Sequence, residues 1–152
     1  MRKHCHCGGM MNLDFRLVIF EGIIEIDRVP IYECEEGCFY EVFPAIKEDL
    51  KELLASLKQQ GKTGRVIFTE MNELAHFIFE IYRTWDEGEA SSFEALLEQK
   101  SNEHINLLLD LYGCAKSMND TEWMNETSNR LAQMSNIVKD RQFSEVNQRF
   151  PY

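Results

Sequence analysis

The N-terminal fold is decided by HCHCGG at residues 4–9 and CEEGC at residues 34–38, two clusters of potential metal ligands. Between them lie the runs FRLVIF (15–20) and IIEID (23–27), in which β-branched and aromatic residues predominate. Such runs predict strands, and Glu21-Gly22 between them predicts the turn of a hairpin. The hairpin would bring its two flanking cysteine clusters close together.

The spacing of the cysteines is typical of a zinc site. Structural zinc takes four nitrogen or sulfur ligands at about 2.0–2.3 Å, and two tight turns can supply two ligands each. Cys34 and Cys38 form one pair, whereas Cys7 can combine with Cys5 as C-x-C or with His4 as H-x-x-C. We therefore predict a Zn²⁺ site of Cys5, Cys7, Cys34 and Cys38, with His4 as the alternative to Cys5.

The expected role of this zinc is structural. Four protein ligands leave no position for the water that a catalytic zinc requires. Glycine follows the first pair and lies inside the second, as tight turns require when their amides point at thiolate sulfur. The alternative is that these cysteines are unrelated buried or free thiols.

The segment from about residue 3 to residue 44 resembles the YgiT-type zinc finger. The resemblance rests on C-x-C-G-G at residues 5–9, a hairpin, and the Val29-Pro30 step before Cys34. That family pairs two Cys-x-x-Cys knuckles and often forms the zinc-binding half of antitoxin-like regulators. This sequence differs at both knuckles, with His4 at the family's first cysteine and three residues between the second pair. The resemblance implies a zinc ribbon-like module and, in regulators of that family, DNA binding.

Charge and hydropathy narrow the class of partner. The net charge is −10; residues 1–44 carry four Lys/Arg against eight Asp/Glu, and residues 45–152 carry twelve against eighteen. Nucleic-acid surfaces cluster basic residues, so nucleic acid is an unlikely partner on this count. No stretch approaches the roughly 20 apolar residues of a membrane span. We predict a cytoplasmic protein, in which reduced cysteines serve better as metal ligands than as disulfides.

After Pro44 the sequence takes on helical periodicity. A first helix is predicted from about Ile46 to a stop at Gly61, and Val66-Ile67-Phe68 is either a short strand or an extended lead into the next helix. That next helix is predicted over residues 69–84. The fold class is therefore α+β, with a zinc ribbon-like β-hairpin module at 1–44 followed by an α-helical hairpin or bundle.

Two longer helices are predicted to complete the helical part. One would begin at Ser91, whose hydroxyl forms a capping box with Glu94, and the other at Asn119 or Asp120. Beyond residue 138 the sequence becomes polar and is expected to fray. The predicted domains are a zinc module at 1–44, a helical domain at 45–138 and a polar tail at 139–152.

The segment at about residues 108–134 resembles an IDEAL domain. That short bacterial module pairs two helices about an Asp-x-x-aromatic step, which Asp120 and Trp123 reproduce, with Ala115 and Leu131 at the corresponding spacings. Residues 112–115 read YGCA where the family has its name-giving tetrad. A generic helical hairpin explains the same residues equally well.

Outside the cysteines, the sequence offers no paired acid–base or nucleophile constellation. Glu73 and His76 have the spacing of a di-iron helix, but this spacing occurs once and such a site needs a second pair. We therefore expect a non-enzymatic regulatory or adaptor protein that contacts another protein, with a homo-oligomer as a further possibility. The alternatives are a DNA-binding antitoxin-like regulator, a thiol-based redox or zinc sensor, and a metalloenzyme using Glu73 and His76.

Overall fold

A computed structural model describes residues 1–88 and 92–149, with the backbone alone for residues 142–149. Its architecture is mixed, with a mainly antiparallel sheet followed by helices, as the α+β prediction requires. The described elements are β1 (Arg2–His4), β2 (Met10–Phe20), β3 (Ile24–Cys34), β4 (Tyr40–Val42), a 3-10 turn (Pro44–Ile46), α1 (Lys47–Gln59), β5 (Gly64–Ile67), α2 (Phe68–Met71), α3 (Glu73–Thr84), α4 (Phe93–Ser117) and α5 (Thr121–Arg149).

The central strand of the sheet is β3. Along one edge it pairs antiparallel with β2, and along the other it pairs antiparallel with β4 and parallel with β5. The predicted hairpin forms, because Glu21 and Gly22 adopt the positive φ angles of 52° and 71° that a tight turn requires. Arg28, at φ 55°, lies where β3 has an extra residue, and β5 and β4 contact β3 on either side of it.

Most of β3 is buried because neighbouring elements cover it. Ile26 and Val29 have no exposed surface, and Ile31 is almost completely buried. Burying an aliphatic side chain of this size contributes about 1.5–3 kcal/mol. The adjacent helices add Leu50 from α1 and Leu74 from α3, both fully or nearly buried.

The helix α3 is capped by a buried asparagine. The Asn72 side-chain oxygen accepts a hydrogen bond from the Ala75 amide at 2.9 Å, as an N-cap does. The Asn72 side-chain amide donates to Asp49 of α1 at 2.8 Å. One side chain therefore caps α3 and fixes it to α1.

The chain divides into two compact units, Met1–Arg83 and a second that starts at Thr84. This division falls later than the boundary near Pro44 that the change of periodicity predicts. The physical reason is that residues 64–67 form β5 and pair with Ile24–Asp27 of β3, so the chain after α1 returns to the sheet. Of the two alternatives for residues 66–68, the strand is correct for Val66 and Ile67.

In the second unit α4 and α5 form a helical hairpin. The predicted cap Ser91 lies outside the described residues; Ser92 caps α4, with its hydroxyl accepting from the Ala95 amide at 3.2 Å. Of the two predicted caps of α5, Asp120 is the one used, since its carboxylate accepts from the Trp123 amide at 3.0 Å. Asn119 instead adopts φ 53° in the connecting turn.

The polar tail expected over residues 139–152 is helical as far as Arg149, and residues 150–152 lie outside the described residues. The helix α5 continues to Arg149, and Arg141 forms an ion pair with Glu98 of α4 at 3.7 Å. Among the described helices, none has the length and apolar character needed to cross a membrane.

Candidate metal centre

Two turns of the first unit lie at the same end of the sheet. One joins β1 to β2 and contains Cys5 and Cys7; the other joins β3 to β4 and contains Cys38 just after Cys34. Strands β2 and β3 are antiparallel, with Met11 opposite Cys34, so the start of β2 lies beside the end of β3. The register of this hairpin therefore brings the two cysteine clusters together.

The first turn is closed by backbone hydrogen bonds. The Cys5 amide donates to the Gly9 carbonyl at 2.9 Å, and the Gly8 amide donates to the Cys5 carbonyl at 3.0 Å. Gly8 has φ 91°, a conformation that favours glycine. The Gly9 amide lies 3.4 Å from Cys7 Sγ and donates to it, as the predicted inward-facing amide requires.

The second turn accommodates three residues between its cysteines. The Gly37 amide donates to the Cys34 carbonyl at 2.9 Å, with Gly37 at φ 67°. The Cys34 amide donates to the Phe39 carbonyl at the same distance, which closes the turn beyond Cys38. A YgiT-type knuckle has two residues between its cysteines. The third residue present here fits because Gly37 adopts the left-handed conformation.

The four sulfur atoms form a compact group. Cys5 Sγ lies 3.5 Å from Cys38 Sγ, and Cys7 Sγ lies 3.5 Å from Cys34 Sγ. All four atoms lie within 4.8 Å of one another. A tetrahedron with metal–sulfur bonds of about 2.3 Å has edges of about 3.8 Å, which falls inside this range. The donor set and its dimensions are compatible with one tetrahedral metal ion.

Burial alternates within the group. Cys5 and Cys34 are buried, Cys7 and Cys38 are exposed, and all four are free thiols. Each 3.5 Å pair therefore joins one buried sulfur to one exposed sulfur. A metal ion at the centre would be protected on one side by the sheet and reachable from solvent on the other.

Crowding of the thiols raises the pKa of Cys38. The largest causes are hydrogen bonds with Cys7, Cys34 and Cys5, followed by desolvation and the charge of Cys34. Four neighbouring sulfur atoms cannot all ionise without a compensating positive charge. A metal ion at the centre would supply that charge, so the donor set is compatible with metal binding.

Glycine at position 9 leaves space for the sulfur atoms. A Cβ at Gly9 would lie 3.4 Å from Cys7 Sγ, 3.5 Å from Cys34 Sγ and 3.2 Å from the Glu36 side chain. The contact with Glu36 is tight for a Cβ, so the Glu36 side chain would have to shift, whereas the two sulfur atoms would be in ordinary van der Waals contact with the Cβ. The first turn consequently favours glycine at Gly8 for its conformation, and a Cβ at Gly9 would fill the space between the two sulfur atoms and Glu36.

An imidazole lies beside the cluster without belonging to it. His6 Nδ1 is 3.7 Å from Cys5 Sγ, and the His6 ring packs edge-on against Phe39 with centroids 5.4 Å apart. Sequence reasoning did not single out His6, whose only signal is its position between Cys5 and Cys7. It is placed to donate a hydrogen bond to a ligand sulfur.

The other predicted candidates do not join the group. His4, the alternative to Cys5, is exposed on β1, and the grouped ligand atoms include Cys5 instead. Within the described part of the chain, Glu73 and His76 belong to no group of three potential ligands, and His76 is exposed. Cys114 is exposed on α4 and lies outside the group.

A cavity of about 440 Å³ opens beside Cys34 and is lined by acidic groups, among them Asp14 and Glu33. Arg16 pairs with both carboxylates, and the hydrogen bond that it donates to Glu33 is the largest cause of its raised pKa. The Tyr82 hydroxyl donates to Asp14 at 3.3 Å. Asp14 and Glu33 thus have hydrogen-bond and ion-pair partners within the unit.

Comparison with known proteins gives no relative to this chain. No family model, no curated protein and no solved structure matches it. The structure therefore defines a class by its features alone: an α+β protein with a four-cysteine cluster that can hold a metal ion.

Proposed function

We propose that Cys5, Cys7, Cys34 and Cys38 bind one structural Zn²⁺ and thereby staple the N-terminal sheet of a cytoplasmic regulatory or adaptor protein. The observation that carries the metal site is that all four sulfur atoms lie within 4.8 Å of one another. A tetrahedral set of four sulfurs is typical of zinc and of iron–sulfur centres. Zinc is the choice because isolated Cys₄ sites that close a turn pair are commonly structural zinc sites.

The role of the ion follows from the donor count. Four thiolates complete a tetrahedron and leave no position for substrate or water, so the ion would contribute folding energy and no catalysis. Other contacts also join the two turns, among them the Glu35 amide donating to the Met10 carbonyl at 2.9 Å and the His6 ring against Phe39. The resemblance to the YgiT-type finger over residues 3–44 points to the same zinc ribbon-like role.

The regulatory part of the proposal rests on the helical half. Within the second unit, α4 and the turn after it carry apolar side chains that are more than half exposed: Leu107 and Leu109 on α4, and Met118 in the turn. Exposed apolar groups of this kind are typical of surfaces that contact proteins. The net charge of −10 disfavours nucleic acid, so a protein is the proposed partner and no enzymatic activity is expected.

Metal analysis tests the site directly. After exhaustive dialysis of the purified chain, we expect about one zinc per molecule by elemental analysis. Iron in its place would give a coloured protein and replace zinc in the proposal. A chain that binds neither metal, while folded, would overturn it.

The partner class needs a separate experiment. Affinity capture from the native cell reports a partner without assuming its class. Recovery of specific DNA, with affinity that falls as salt rises, would favour the DNA-binding antitoxin-like regulator that the YgiT-type resemblance implies. Recovery of a defined protein, in a complex that survives nuclease, would support the adaptor.

A second candidate is a redox or zinc sensor, which the alternation of burial favours. In each 3.5 Å pair an exposed thiolate can be oxidised first and its buried partner can then attack it. Two thiolates form a disulfide and give two electrons to hydrogen peroxide, which becomes two hydroxide ions. Zinc release at low peroxide, reversed by added thiol, would favour the sensor over the scaffold.

A further inference from the structure

The four sulfur atoms of the metal centre differ in the N–H groups that reach them. In the turn between β1 and β2, the Gly9 amide donates to Cys7 Sγ at 3.4 Å. In the same turn, His6 Nδ1 lies 3.7 Å from Cys5 Sγ and is placed to donate to it. Each sulfur of the first turn therefore has an N–H group of its own.

The turn between β3 and β4 uses its N–H groups differently. The amides of Cys34, Glu35 and Gly37 all donate to backbone carbonyl oxygens at 2.9 Å. Among the described residues, no N–H group donates to the sulfur of Cys34 or Cys38, whose hydrogen-bond contacts are other sulfur atoms. The second turn thus directs these amides at carbonyl oxygens and leaves its two sulfur atoms without a nitrogen donor.

Burial separates the four sulfur atoms a second time. Cys5 and Cys34 are buried, whereas Cys7 and Cys38 are exposed. Of the two exposed sulfur atoms, Cys7 accepts a hydrogen bond from an amide and Cys38 does not. Within the cluster, Cys38 is consequently the sulfur that combines exposure with the lack of an N–H donor.

This difference has a chemical consequence when the cluster holds a metal ion. The thiolate is the reactive form of cysteine, and its nucleophilicity falls when its negative charge is stabilised. An N–H donor stabilises that charge, and a hydrogen bond to a charged group is strong enough to change a rate about tenfold. Burial protects Cys5 and Cys34, and the amide bond slows Cys7. Cys38 is left as the most reactive sulfur.

We propose that Cys38, because no N–H group donates to its sulfur, is the site at which a small electrophile modifies the metal centre. The inference rests on the proposed metal binding and names the ligand at which coordination opens. With iodoacetamide, the Cys38 sulfur bonds to the methylene carbon, and iodide leaves with the electron pair of the carbon–iodine bond. The thioether that forms is uncharged and no longer a thiolate ligand, so metal affinity falls.

The test follows alkylation of the zinc-loaded full chain by a limiting amount of iodoacetamide. Cys114→Ser removes the exposed thiol outside the cluster, so that every label reports on a metal ligand. Trypsin places Cys5 and Cys7 on one peptide and the other two cluster cysteines on another, and fragmentation locates each label. We expect Cys38 to be labelled first, about tenfold faster than Cys7, with zinc released in step.

The first labelled position decides the outcome. A zinc-loaded chain that is labelled first on Cys7, or equally on Cys7 and Cys38, would overturn this inference and leave the metal site standing. A chain that binds no metal would overturn both, and metal analysis before alkylation separates the two results. In the control Glu36→Gln, the second turn loses a negative charge, and the order should not change because iodoacetamide is neutral. A reversed order would assign the selectivity to charge and overturn the inference.

Cadmium substitution tests the hydrogen bonds themselves. A spin-active cadmium isotope, bound in place of zinc, couples in NMR to an amide proton that donates to a ligand sulfur. We expect this coupling at the Gly9 amide, which donates to Cys7, and none at the amides of residues 36–40. A coupled amide within 36–40, or an uncoupled Gly9 amide, would remove the difference between the two exposed sulfur atoms and overturn the inference.

Discussion

Cys7 and Cys34, which are 27 positions apart in the chain, hold their sulfur atoms 3.5 Å apart. The contact joins the β1–β2 turn to the β3–β4 turn, and Cys5 and Cys38 repeat it at the same distance. The register of β2 against β3 creates both contacts. Folding of the sheet and assembly of the metal centre are consequently expected to depend on each other.

Replacement of one buried sulfur tests this coupling. In Cys34→Ser we expect loss of the bound metal together with loss of structure around the two turns, because binding energy is folding energy in so small a site. Metal analysis and chemical shifts of residues 1–44 measure the two effects. Cys114→Ser is the control, since Cys114 is exposed and outside the cluster, and it should keep both metal and fold. Metal loss with an unchanged N-terminal fold would contradict the coupling.

Space beside the cluster is tested at Gly9. In Gly9→Ala the new Cβ would contact Cys7 Sγ and Cys34 Sγ, so we expect the metal to be lost to a chelator at lower chelator concentration than in the native chain. Gly113→Ala is the control, because a Cβ there meets nothing within 4 Å and lies in α4. The control should stabilise the chain by about 0.5–1 kcal/mol. If Gly9→Ala and the native chain resisted the chelator equally, the turn between β1 and β2 would be shown to accommodate a Cβ at position 9.

The buried cap of α3 should matter to stability. Asn72→Ala removes the hydrogen bond to the Ala75 amide and the one to Asp49, so we expect a loss of about 1–2 kcal/mol in the free energy of unfolding. Denaturant unfolding of the metal-loaded chain measures it. Asn125→Ala, at an exposed position of α5, should cost nothing. An unchanged free energy of unfolding in Asn72→Ala would mean that water replaces both hydrogen bonds.

Ionisation of Tyr82 should make the stability of the folded chain depend on pH. Burial, and then the charge and hydrogen bond of Asp14, raise the pKa of Tyr82 above its ordinary value of 10.0. The neutral phenol is thus favoured in the folded state, so its contribution to stability is complete below pH 10 and is lost as pH rises through the raised pKa. A phenolate absorbance titration should show the raised step, and Tyr82→Phe should remove it. Asp14→Asn should move it down; an unmoved step would exclude Asp14 as a cause.

The distances between the sulfur atoms predict which disulfides form on oxidation. If the cluster is oxidised after metal removal, the 3.5 Å pairs predict disulfides Cys5–Cys38 and Cys7–Cys34, each linking the two turns. Peptide mapping by mass spectrometry after mild peroxide treatment reads the pairing. Disulfides within a turn, Cys5 with Cys7 or Cys34 with Cys38, would show that the turns separate before they oxidise.

Much of the first unit is determined by local sequence. The alternating run before Glu21-Gly22 and the run after it specify a hairpin, and the glycines beside the cysteines specify two tight turns. These features depend on residues close together in the chain, so propensity and spacing are enough to predict them. The residue types of the candidate metal site follow in the same way.

Tertiary structure alone decided which ligands meet and where the units divide. Cys5 rather than His4 joins the cluster, because the turn after β1 directs the Cys5 side chain to the interior while His4 remains exposed. Residues 64–67 return to pair with β3, and α5 extends to Arg149 beside α4. These outcomes depend on partners distant in sequence, whose contacts are fixed by packing and strand register and leave no local periodicity to read.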